Sequence, residues 1–208
     1  MPRRRPPWPV RLMIGLILPV FVGLIGMWWY LDRQSNWGVV VPGKIYRSAE
    51  VSRFLIKNKL TENKIGVIVY LSRDGENNAD MTKERQVAAE LHLPILEFPM
   101  SGDGLARPDR YPAALEAVYQ ANQEGKPVLI HCHSGAQRTS GVVAVYRVLV
   151  EGKSPQEAVA EMKHYGHDPK KNTVLIPFLN EHLGEWAQEL ASRGIIAKVP
   201  QPLPRFTE

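Results

Sequence analysis

The chain holds a single cysteine, Cys132, and what that thiol can do is decided by its neighbours. It stands in the stretch His131-Cys132-His133-Ser134-Gly135-Ala136-Gln137-Arg138-Thr139, of the form H-C-x-x-G-x-x-R-T. An apolar, β-branched run (128–132) leads into it and a helix-like stretch follows, which is the setting of a tight loop that binds an anion. In such a loop successive backbone N–H groups of His133, Ser134, Gly135, Ala136 and Gln137 turn inward, and the helix start adds its partial positive charge. Gly135 permits the turn, and Arg138 can set its guanidinium fork against two phosphate oxygens, a geometry that lysine does not match.

The same donors favour the thiolate of Cys132, the form that attacks phosphorus. Thr139 is placed to hydrogen-bond the sulfur and ease its departure, and His131 to order the loop from behind. The plainer reading packs Cys132 beneath a turn and leaves Arg138 on the surface. It gives no reason for the six-residue spacing, the intervening glycine or the following threonine. One cysteine excludes an intramolecular disulfide and a cysteine-rich metal site, and no second ligand cluster accompanies His131 or His133.

The elements needed to position this loop are legible around it. Residues 65–71 and 128–132 read as buried strands and 93–100 as a more interrupted one. Helical spacing marks 81–92 and 111–124, then 138–150 closed by Gly152, 154–165 opened by the capping box Ser154-Pro155-Gln156-Glu157, and 174–193 closed by Gly194. Alternation of this kind predicts an α/β fold, a central and mostly parallel sheet flanked by helices.

The motif resembles the signature loop of the cysteine-dependent protein tyrosine phosphatase superfamily, and the compact size resembles its dual-specificity branch, bacterial members included. The likeness extends to Pro42-Gly43-Lys44-Ile45-Tyr46-Arg47-Ser48, to the strand at 66–71, to Phe98-Pro99-Met100 and to the block 127–138, in the order such domains have them. It covers about 41–194. The resemblance implies a phosphocysteine intermediate formed by Cys132, no metal or other cofactor, and an aspartic acid on a separate loop that protonates the leaving oxygen. Two residues fit that acid: Asp103, within Ser101-Gly102-Asp103-Gly104, and Asp109, after Pro108. Asp103 is favoured because its glycine neighbours allow a loop to close, whereas an acid at a helix start needs no catalytic reason. Ser140 departs from the commoner glycine of the family, and Ala136 and Gln137 stand where phosphoinositide-specific relatives carry lysines.

The expected substrates are phosphotyrosine or phosphoserine/threonine proteins, with a small metabolite or inositol phosphate as the alternative within enzymology. A catalytically silent phosphate-binding module is the alternative outside it, and thiol redox chemistry lacks a resolving cysteine. A formal charge of +5 is interleaved with acids beyond Arg3, Arg4 and Arg5, so no nucleic-acid partner is expected.

Residues 12–31 carry no charge and are about long enough to cross a hydrocarbon core of roughly 30 Å. The expectation is a basic segment (1–11), a transmembrane helix (12–31), a linker (32–41), the phosphatase domain (42–194) and a proline-rich tail (195–208). Positive charge before the helix predicts a single-pass protein with its N-terminus cytoplasmic and the catalytic domain outside, periplasmic in a Gram-negative bacterium.

Overall fold

The computed structural model describes residues 8–72 and 78–207, with side chains of the first helix described at position 17 and from 19 onward. Helix α1 (Trp8–Gln34) leads into a hairpin of β1 (Gly38–Val41) and β2 (Ile45–Ser48). There follow α2 (Ile56–Glu62), β3 (Val67–Tyr70), α3 (Ala79–Glu90), β4 (Ile95–Glu97), α4 (Arg110–Gln123), β5 (Val128–His131) and α5 (Arg138–Val145). A π-helical turn (Tyr146–Val150), α6 (Pro155–His164) and α7 (Leu175–Ser192) complete the order.

The sheet runs β1-β2-β5-β3-β4. It is mixed: β1 pairs antiparallel with β2, and the other three pairings are parallel. Side chains alternate between two cores, as a strand's two-residue period requires. Ile45, Val67, Val69, Val128 and Ile130 enter the larger core beneath α4, α5, α6 and α7, while Tyr46, Ile68 and Leu129 enter the smaller one beneath α2 and α3. Register then sets the site. Ser48 pairs with His131, and His131 with Tyr70, so the carboxyl ends of β2, β5 and β3 lie level and the loops after them converge at one edge.

Local chemistry accounts for the helix starts. Asn78 Oδ1 accepts from the N–H of Asp80 and Met81 at the start of α3, and the capping box at Ser154 and Glu157 forms as its sequence requires. The helix expected over 138–150 changes at Tyr146 from α to π geometry, where buried Arg147 pairs with Glu151 and Glu161. Part of the expected linker is strand, since 38–41 is β1. The tail packs on the domain's own α7: Asn180 donates to Phe206 O at 2.9 Å and accepts from Phe206 N at 2.8 Å, and the Phe206 ring is buried.

The membrane-spanning helix expected over 12–31 is corrected. Among the described residues no helix is long and apolar enough to cross a membrane. The expected span falls on helix α1 (Trp8–Gln34). Its far end belongs to the domain: Leu31 packs on the smaller core and Asp32 pairs with Lys59 at 2.6 Å. The single-pass placement, N-terminus inside and catalytic domain outside, required that span and is corrected with it. Arg3, Arg4 and Arg5 lie outside the described residues.

Candidate active site

Cys132 follows directly on β5 and is fully buried. The loop that begins with it ends at Arg138, the first residue of α5, which is also buried. Thr139 Oγ1 donates to Cys132 Sγ at 3.1 Å. The loop closes tightly because Gly135 takes φ +68, a left-handed conformation, and a Cβ there would lie 2.8 Å from Ser48 O and Ala49 N. No side chain is tolerated at that approach.

The loop's outer side is tied to the chain around β2. Arg47 Nη2 donates to Gly135 O at 2.9 Å and to Ser140 Oγ at 2.6 Å. The guanidinium lies over the Tyr165 ring, 3.7 Å from its centroid, and Nη1 reaches Glu161 at 3.4 Å. Burial pulls the Arg47 pKa down to about 10, against the opposing charge of Glu161. His133 N–H donates to Ser72 Oγ at 3.1 Å, and its exposed imidazole meets Glu50 at 3.0 Å. His131 is buried on β5, its Nε2 3.0 Å from Glu84 Oε1 of α3 and its ring 5.0 Å from that of Tyr70. Gln137 Oε1 meets His167 Nδ1 at 2.6 Å.

Asp103 shares a cavity of about 370 Å³ with Gln137, Lys171 and Asn172. Its Oδ1 accepts from Leu105 N at 3.1 Å and from the Ser101 hydroxyl. Two neighbours fix its backbone: Asn172 Nδ2 donates to Asp103 O at 2.7 Å, and Tyr111 Oη to Gly104 O at 2.8 Å. Burial, with the charges of Asp103 and Cys132 behind it, raises the Tyr111 hydroxyl above its ordinary pKa, so it remains a donor. Asp109 lies elsewhere, exposed and paired with Arg107 through contacts of 3.2 and 3.3 Å.

Residues 32–176 match the family model PTP-SAK, the DSP-PTPase phosphatase domain of Swiss Army Knife proteins. The chain belongs to this family. Within it, 54 residues are 43% identical to the dual specificity protein phosphatase TpbA of Pseudomonas aeruginosa, a match over 26% of this chain and 24% of TpbA. The chain therefore aligns with about a quarter of that relative's length. The crystal structure of TpbA superposes with a TM-score of 0.56 at 23% identity, covering 79% of this chain and 90% of that one. The catalytic domain of the PP-IP phosphatase SIW14 from S. cerevisiae, in complex with citrate, gives 0.59 at 20%, covering 76% and 92%. At these identities the two structures speak for a shared phosphatase fold.

In this phosphatase domain the residues singled out from sequence at 132–138 form one continuous loop, with His131 beneath it and Thr139 at its far end. Asp103 comes to the same cavity as Gln137, whereas Asp109 does not. Arg47, Glu50, Tyr111, Asn172 and His167 were not legible as site residues. Only Arg47 carried a signal, as part of the family-like stretch 42–48, and that stretch suggested no role.

Proposed function

We propose that the chain is a cysteine-dependent phosphatase that hydrolyses phosphate monoesters through a phosphocysteine intermediate, with phosphotyrosine or phosphoserine/threonine proteins as substrates. The observation that carries this reading is the hydrogen bond from Thr139 to Cys132 Sγ at 3.1 Å, in a buried site where Arg138 opens the following helix. A hydroxyl aimed at sulfur stabilises a thiolate far more than a thiol, because bonds to charged groups are the stronger ones.

The Cys132 thiolate attacks phosphorus, forming the S–P bond while the bond from phosphorus to the ester oxygen breaks. Asp103 gives its proton to that leaving oxygen. The resulting carboxylate then takes a proton from water, the water oxygen bonds to phosphorus, and the S–P bond breaks to restore the thiolate. Arg138 and the loop N–H groups hold the equatorial oxygens and stabilise the charge that develops on them. His133, Ser134, Gly135, Ala136 and Gln137 supply the backbone of that cradle.

A second reading, a small metabolite or inositol phosphate as substrate, is favoured by one feature, Lys171 on the rim of the cavity that Asp103 and Gln137 line. A cation there suits a substrate with more than one phosphate.

The test is hydrolysis of para-nitrophenyl phosphate by the full chain beside Cys132→Ser and Arg138→Lys, followed by phosphotyrosine peptides and inositol phosphates compared by kcat/KM. Cys132→Ser abolishes turnover, and Arg138→Lys lowers kcat/KM by about 100-fold or more. A folded wild type without turnover on any of these would leave the phosphate-binding module as the better reading.

A further inference from the structure

Three consecutive carbonyls of the loop are held from outside by one short stretch of chain. Glu50 N–H donates to His133 O at 3.0 Å, Asn36 Nδ2 to Ser134 O at 3.3 Å, and Arg47 Nη2 to Gly135 O at 2.9 Å. In a planar trans peptide the carbonyl of one residue and the N–H of the next point to opposite sides. Holding these carbonyls toward β2 therefore turns the N–H groups of Ser134, Gly135 and Ala136 to the opposite face of the loop. That is the orientation an anion cradle needs.

We propose that residues 36–50 are the template that sets the anion-binding geometry of the loop, with Arg47 and Asn36 as positioning residues for the phosphatase reaction. The proposal rests on the function argued above.

Arg47 is suited to the role because one nitrogen serves two elements. Nη2 bonds both Gly135 O in the loop and Ser140 Oγ in the first turn of α5, so the loop and the helix start move as one. Packing alone would be met more cheaply by an apolar side chain, since a buried guanidinium carries a desolvation cost that depresses its own pKa. Bonds to the loop and to the helix start account for retaining the charge. Asn36 adopts φ +48, and its side chain also donates to Tyr165 O at 3.1 Å, joining the loop to the end of α6. The contact between Gly135 and the backbone of Ser48 and Ala49 places the two stretches against each other without a side chain between them.

The test uses the full chain and inorganic phosphate as the probe. Because Cys132 is the single cysteine, the rate at which iodoacetate alkylates the protein, with and without phosphate, reports occupancy of this site and needs no turnover. Asn36→Gly keeps the left-handed backbone and removes only the donor, and it should weaken protection by phosphate about 3- to 10-fold with an unchanged thermal midpoint. Arg47→Met should weaken it by about tenfold or more, with Arg47→Lys between the two. Lowered thermal midpoints with wild-type protection by phosphate would mean a purely structural role and overturn the proposal. If Arg47→Met does not fold, Asn36→Gly decides. Wild-type protection without turnover would sink the enzymatic reading while leaving the template standing, whereas a wild type that phosphate does not protect would overturn both.

Discussion

Thr139 and Cys132 meet across the full length of the phosphate loop, the threonine hydroxyl donating to the sulfur at 3.1 Å. The residue just past the loop thus bonds the residue that begins it. In the proposed reaction this bond strengthens as negative charge returns to sulfur, which is when the phosphocysteine breaks down. Thr139→Val should lower kcat by about 10- to 100-fold and lengthen the life of the intermediate, seen as a burst in rapid-quench kinetics. Thr139→Ser keeps the donor and should stay within about threefold of wild type. Equal losses in both variants would mean that the hydroxyl donor alone does not account for the effect.

The two candidate acids separate by location. Asp103 lines the cavity that Gln137 also lines, and Asp109 is exposed and paired with Arg107. Asp103→Asn should lower kcat by about 100-fold on a phosphoester with a poor leaving group, and less on para-nitrophenyl phosphate, whose leaving oxygen needs little protonation. Asp109→Asn should change either rate by less than about twofold. The reverse ranking would move the acid to Asp109.

Asn172 links the loop of Asp103 to α7. Its Nδ2 donates to Asp103 O, and its Oδ1 accepts from the N–H of Val174 and Leu175 at the helix start. Asn172→Ala should cost about 1–2 kcal/mol of stability, read from denaturant unfolding, and lower kcat by several-fold with little change in phosphate affinity. Asn172→Asp should recover part of the stability, because its carboxylate still caps the helix, but none of the kcat, because it has lost the donor. Full recovery of both would show that the tie to Asp103 is idle.

Gly135 is the position where the loop tolerates nothing. A Cβ would stand 2.8 Å from backbone atoms of Ser48 and Ala49, with φ already at +68. Gly135→Ala should cost about 2 kcal/mol or more and abolish turnover in whatever fraction folds, measured by unfolding and by steady-state rates at low temperature. A stable, active alanine variant would contradict the close approach of β2 to the loop.

What the sequence disclosed follows the range of the interactions involved. Cys132, Gly135 and Arg138 stand within seven residues, so their spacing is itself the signal, and the capping box at Ser154 is equally local. Arg47 meets Gly135 from 88 residues away and Asn36 meets Ser134 from 98. No local pattern encodes those meetings, which exist only because β2 and β5 lie side by side in register. The strands β1 and β2, four residues each, lack the continuous apolar run that marked the equally short β3 and β5, because Gly38, Arg47 and Ser48 interrupt them. Hydropathy misled at the other end of the chain. An uncharged stretch at 12–31 suggested a crossing helix, but the end of α1 is held by contacts with Lys59 and the smaller core that hydropathy does not register. The place of the proline-rich tail is likewise set at a distance, by Phe206 buried and secured by Asn180.

The central claim is that Cys132 carries the phosphoryl group. Mass spectrometry of the Asp103→Asn variant, acid-quenched during turnover of a phosphotyrosine peptide, tests it directly, because that variant should form the intermediate and hydrolyse it slowly. The account predicts a phosphoryl adduct on the peptide containing Cys132, absent when Cys132→Ser is introduced. Turnover with no adduct on Cys132, or an adduct that persists in Cys132→Ser, would contradict it.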